Sequence, residues 1–127
     1  MKEYQPKDNV TTIDELKAMV KEFCAERDWD QFHSPKDLAI GMSTESNELL
    51  DLFRFKTPEE ILELMNDEVK GHERVCEELA DTFYFVLRFA QKYDYDLTDC
   101  LIDKLAKNDA KYPVEKAKGK NLKYDEL

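Results

Sequence analysis

Apolar residues recur along this chain at helical spacing, and capping signals mark where each run begins. Thr12-Ile-Asp-Glu15 has the form of a capping box, and Leu16, Val20, Phe23 and Cys24 follow on one face. This predicts a first helix ending near Asp28, with Trp29, Phe32 and His33 in a short connector. Ser34-Pro35 opens a second helix, because serine caps well and proline loses nothing at the first helical position. That helix runs to about Phe53 through Leu38, Met42 and Leu49. Thr57-Pro58-Glu59-Glu60 repeats the signal and starts a shorter helix through Ile61, Leu64 and Met65, with Gly71 as its punctuation. A third long helix is predicted from about His72 to Tyr93.

The run Thr82-Phe-Tyr-Phe-Val-Leu-Arg-Phe89 has the composition of a strand. It is read as helix because Glu77-Glu-Leu-Ala-Asp81 precedes it, Ala90-Gln-Lys follows, and no breaker stands on either side. A helix apolar this far around is expected to be central and buried. Thr98 is expected to cap the fourth long helix, which carries Leu101, Leu105 and Asn108 and stops before Pro113. Residues 1–11 read as a loose arm and residues 114–127 as an extended, Lys-rich tail. The fold class is all-α: a four-helix bundle with a short extra helix.

The 127 residues allow one domain, taken as 1–127, and the 3 glycines and 4 prolines are too few for an antiparallel β fold or a Gly-rich phosphate loop. The net charge of −10 argues against binding nucleic-acid polymers or anionic membranes, whose partners carry basic footprints. No run approaches the roughly 18 apolar residues of a membrane span. The charge is uneven. Glu59 to Asp81 holds nine acidic residues against two basic ones, whereas Lys104 to Lys123 holds seven lysines against Asp109 and Glu115. The two regions either share a substrate or neutralise each other. Cys24, Cys76 and Cys100 are an odd set without metal spacing, and are read as buried, reduced thiols of a cytoplasmic protein.

Two acid pairs carry the candidate chemistry. Glu45 and Glu48 are three residues apart on the second helix, and Glu78 and Asp81 three apart on the third. This spacing puts both members of a pair on one face. Met42, Leu49, Leu50, Leu79 and Phe83 embed the pairs in apolar sequence, where carboxylates are costly unless neutralised. Facing each other, the pairs bring four carboxylates together, which a divalent cation makes tolerable, and all-oxygen ligation suits Mg²⁺ or Mn²⁺. With 29 acidic residues such spacings also arise by chance, and Glu59, Glu60, Glu63, Glu73 and Glu77 are read as solvated faces. A di-iron bundle wants Glu-x-x-His twice, but Asp51 follows Glu48 and Tyr84 follows Asp81 at that step. His72 and Cys76 lack a second ligand pair, and His33 reads as a loop histidine. Lys104 and Asn108 share a helix face that either binds phosphate oxygens or is a solvated helix end.

Taken in order, Arg27-Asp-Trp-Asp-Gln-Phe-His33, Glu45-x-x-Glu48 with Leu49 and Phe53, Glu77-Glu78-Leu-Ala-Asp81, and Lys104…Asn108…Tyr112-Pro113 resemble the MazG-like all-α nucleoside triphosphate pyrophosphohydrolases, dCTP pyrophosphatase branch. The resemblance covers roughly residues 12–124. It implies Mg²⁺ on Glu45, Glu48, Glu78 and Asp81, phosphate contacts from Lys104 and Asn108, a nucleobase near Trp29, and dimers or tetramers with sites built partly across subunits. The base pocket departs from the dCTP pattern: Phe55 stands where Trp is usual, Val20 where His can contact the base, Phe85 where Tyr is common and Lys111 where Arg is common. The alternative to an enzyme is a non-catalytic acidic helical module that binds a partner or organises an oligomer.

Overall fold

The computed structural model describes residues 5–127; the first four residues of the expected loose arm lie outside that range. The described residues contain helices and no strand. They form two compact units, one ending at Asp94 and the other Tyr95–Leu127. The first unit contains α1 (Ile13–Glu26), a 3₁₀ turn (Asp30–Phe32), α2 (Pro35–Asp51), α3 (Pro58–Asn66) and α4 (Lys70–Tyr93). The second contains α5 (Leu97–Lys111), the one-turn α6 (Val114–Ala117) and a 3₁₀ turn (Tyr124–Glu126).

The caps set the helix starts. Glu15 N–H donates to Thr12 Oγ1 at 3.1 Å, and Asp37 N–H to Ser34 Oγ at 3.1 Å. At α3 the box is reciprocal: Glu60 N–H donates to Thr57 Oγ1 at 3.2 Å, and Thr57 N–H to Glu60 Oε1 at 3.1 Å. That hydrogen bonding holds the Glu60 carboxyl below its usual range. The α5 cap differs from the expectation. Asp96, not Thr98, accepts the Asp99 N–H at 2.8 Å, and Thr98 already lies inside the helix.

Helix α4 packs against α1, α2 and α3, most extensively against α2. Cys24, Leu38, Leu52, Leu87 and Ala90 form the core. Gly71 does not punctuate; it lies inside α4, buried, where a side chain would strike the Leu64 carbonyl. Its role is to let α3 and α4 touch backbone to backbone. Three further expectations change. The tail is not wholly extended, since α6 and a 3₁₀ turn form there. Cys24 is buried but Cys76 and Cys100 are exposed free thiols, because their helix faces receive no cover. Helix α4 is central but only its C-terminal half is enclosed; Leu79 stays 53% exposed and Phe83 41%. No helix is long and apolar enough to cross a membrane among the described residues.

Candidate metal centre and aromatic wall

Because α2 and α4 pack along their length, Glu45 and Glu48 meet Glu78 and Asp81. One carboxylate oxygen from each lies within 4.8 Å of the others. Glu45 and Glu78 are half-buried, while Glu48 and Asp81 open to solvent. Burial, and then the Glu48 carboxyl within hydrogen-bonding reach, push the Glu45 carboxyl up to about 7, with Asp81 and Glu78 adding repulsion. Glu78 is raised for the same reasons, burial first and Glu48 next. Its Oε2 is buried without a hydrogen-bond partner. A buried orphan oxygen inside a ring of acids is expensive as it stands. Four carboxylate oxygens this close, with no cation beside them among the described residues' ion pairs, fit a hard divalent cation. These four acids are the one group of three or more potential metal ligands among the described residues; His72 and Cys76 join none.

One turn from the acids an aromatic wall begins. Phe85 follows Asp81 by four residues, and its ring lies over Gly41, which precedes Glu45 by four. A Cβ at Gly41 would fall inside the Phe85 ring's van der Waals surface, so the glycine makes the seat for that ring. Edge contacts then run from Phe85 to Tyr84 (5.1 Å between centroids), Tyr84 to Phe23 (6.1 Å), Phe23 to Trp29 (5.7 Å) and Trp29 to His33 (6.3 Å). The Tyr84 hydroxyl sits 3.1 Å from the buried Cys24 Sγ, and burial pushes its phenol up. The indole of Trp29 remains 39% exposed. From the acids to the turn bearing Trp29, seven to ten residues of α4 or α2 correspond to roughly 10–15 Å.

The other candidates are placed differently. Val20 is half-buried on α1. Phe55 is 89% exposed in left-handed backbone (φ 64°), with the Arg54 guanidinium 4.4 Å over its ring. No ring contact joins it to Trp29 among the described residues. Lys104 is exposed and Asn108 half-buried, one turn apart on α5 in the second unit. The sequence reading missed Arg88. It is buried at 2% exposure and bonded to His33 and Asp30. The available signal was a single cation inside the apolar run 82–89.

Residues 40–127 match the MazG-like family. Over 116 residues, 91% of this chain and 68% of theirs, the chain is 33% identical to the dCTP pyrophosphatase 1 of Rattus norvegicus. The Homo sapiens dCTP pyrophosphatase 1 is 32% identical over the same span. The crystal structure of a pyrophosphatase from Archaeoglobus fulgidus superposes with a TM-score of 0.73 at 28% identity, covering 88% of this chain and 99% of that one. The matched segment holds all four clustered carboxylates, and the chain belongs to the MazG-like family.

Proposed function

We propose that this chain is a Mg²⁺-dependent nucleoside triphosphate pyrophosphohydrolase, with dCTP or a modified cytidine-type nucleotide as its leading substrate. The observation that carries the reading is the gathering of four carboxylates from two helices around the unpartnered Glu78 oxygen. Relatives named dCTP pyrophosphatase 1 and a structural neighbour named as a pyrophosphatase support the same reaction class.

Glu45, Glu48, Glu78 and Asp81 would hold the ion, Mg²⁺ or alternatively Mn²⁺. When bound, such an ion neutralises phosphate charge and acidifies water. Water attacks the α-phosphorus, the bond to the oxygen bridging the β-phosphorus breaks, and pyrophosphate leaves with that oxygen. The products are nucleoside monophosphate, pyrophosphate and a released proton. Glu48 and Asp81, the solvent-open pair, are the carboxylates that an entering water meets first and that orient it. Lys104 and Asn108 supply a cation and an amide to phosphate oxygens. Trp29 and Phe85 bound the base through the aromatic wall, with Phe55 and Val20 as further base contacts.

Residues 1–127 are taken in this reading as a single MazG-like domain. The half-exposed Leu79 and Phe83 support burial in a homodimer or homotetramer, and the free thiols suit a cytoplasmic setting. Incubation with a panel of ribo- and deoxyribonucleoside triphosphates and Mg²⁺, read by pyrophosphate release, tests the activity. Asp81→Ala should abolish release while helical circular dichroism persists. Full turnover in that variant, or no release from any nucleotide with Mg²⁺ or Mn²⁺, refutes the reading.

A further inference from the structure

The turn that carries Trp29 does not hold itself. It is gripped by the C-terminal end of α4, a segment more than fifty residues away in sequence. Arg88 Nε donates to His33 Nδ1 at 2.9 Å, and Arg88 Nη2 donates to Asp30 Oδ1 at 2.8 Å. Lys92 Nζ donates to the Asp30 and His33 carbonyls at 2.6 and 2.8 Å, and Tyr93 Oη to the His33 carbonyl at 2.8 Å. Arg88 Nη1 closes the set on Gln91 Oε1.

A guanidinium 2% exposed is costly unless its donors find acceptors and its charge a partner. Here every nitrogen of the guanidinium has an acceptor, and Asp30 supplies the opposite charge. The arrangement is also directional. Three acceptors at the three nitrogens fix the plane of the fork, and two of them flank the turn on which the indole stands. The third element is the imidazole itself. Its ring stands edge-on to Trp29 at 6.3 Å, and Phe23 meets the same indole at 5.7 Å, so the indole contacts two rings, one of them pinned by Arg88.

We propose that Arg88 is a positioning residue for Trp29: with Asp30 and His33 it fixes the turn that presents the indole, and so sets how tightly the enzyme holds the base of its substrate. This rests on the reading of Trp29 as a base platform. Accepting at Nδ1 requires a neutral imidazole protonated at Nε2. Arg88 and Lys92 from α4 disfavour the charged ring, Asp30 from the turn and Asp37 from α2 oppose them, and burial comes first among the causes that hold His33 below its ordinary range. The clamp is therefore intact at neutral pH.

Trp29 is the sole tryptophan, so its fluorescence reports on this turn without interference. Arg88→Lys keeps the charge but loses the fork, and Asp30→Ala removes the counter-charge at a side chain that is itself 69% exposed, leaving Arg88 its acceptors on His33 and Gln91. The assay pairs Trp29 emission and anisotropy with steady-state kinetics on the best nucleotide, below the unfolding range. Both variants should loosen the indole, lowering anisotropy, and raise KM by roughly fivefold to tenfold with kcat nearly unchanged. If Arg88→Lys does not fold, Asp30→Ala decides alone. Unchanged emission and anisotropy overturn the proposal, as does a fall in kcat at constant KM. A loosened indole with unchanged KM overturns the role of Trp29 in holding the base, and with it the proposal. The fluorescence arm needs no turnover, so a failure of the pyrophosphohydrolase reading is seen separately, as absence of activity in the unaltered protein.

Discussion

Replacing Glu48 by Gln should strengthen the metal-free fold while removing its function. Glu48 is the shared neighbour of Glu45 and Glu78, and its carboxyl helps raise both. Glu45 moves from 4.5 to about 7. At 1.36 kcal/mol for each tenfold change in proton affinity this corresponds to about 3 kcal/mol. The side chain is only half-buried, and solvent screening leaves about 1–2 kcal/mol. The sign follows from a folded state that binds the proton more tightly than the unfolded one. Its stabilising contribution is complete below pH 4.5 and is lost as pH rises to about 7. At pH 8 the metal-free protein therefore carries the full penalty, of which burial is the largest part and the Glu48 carboxyl the next. An amide at position 48 removes one charge and offers N–H donors to both neighbours. Only the Glu48 share of that penalty is relieved, so Glu48→Gln should raise the melting temperature of the metal-free protein by about 2–4 °C at pH 8 and hardly at all at pH 4.5. Mg²⁺ should raise that of the parent at pH 8 and have little effect on the variant. Calorimetry at both pH values, with chelator and with millimolar Mg²⁺, makes the measurement. A variant less stable than the parent at pH 8 without metal, or equally stabilised by Mg²⁺, refutes the account of the cluster.

Two other substitutions probe the aromatic side of the site. Gly41→Ala gains about 1 kcal/mol of helix propensity but over-packs the Phe85 seat at a cost of about 1–3 kcal/mol. Urea unfolding should show a net loss, and a raised KM should accompany it; unchanged stability contradicts the seat. Phe55→Gly relieves a left-handed backbone at a side chain that buries almost nothing, so stability should rise by about 0.5–1 kcal/mol. KM for the preferred nucleotide should rise in the same variant, and an unchanged KM removes Phe55 from the base contacts.

Most of the helical architecture was legible because its signals are local. Thr12, Ser34 and Thr57 each sit three residues before the amide they cap, and each cap forms. The α5 start was misplaced because Asp96 and Thr98 are both capping residues two positions apart, and only the Asp99 N–H decides between them. The acid pairs were legible for a related reason. Their i, i+3 spacing is a property of one helix, and only the facing of α2 and α4 had to be supplied by the fold. Gly71 could not be read correctly, since its reason is the Leu64 carbonyl of a different helix. Burial was overestimated along α4 because hydrophobicity states what a side chain tolerates, not whether the chain has a partner for it.

Arg88 marks the boundary of such reading most sharply. In the run 82–89 a lone arginine looks like the polar exception on an otherwise buried helix, and helical spacing alone points it nowhere. Its partners lie 55 and 58 residues earlier, in a connector whose own sequence announces only a turn. Yet an isolated cation in an apolar run carries a general implication. Either it escapes to solvent or an acid must reach it from elsewhere. Here no acid lies at i±3 or i±4 from Arg88, positions held by Tyr84, Phe85, Gln91 and Lys92, so a counter-charge had to come from another element. The turn after α1 supplies it in Asp30, one residue beyond Trp29. The energetic need of a buried charge and the placement of the exposed indole are thus met by the same turn, which explains why the aromatic wall ends where the clamp begins.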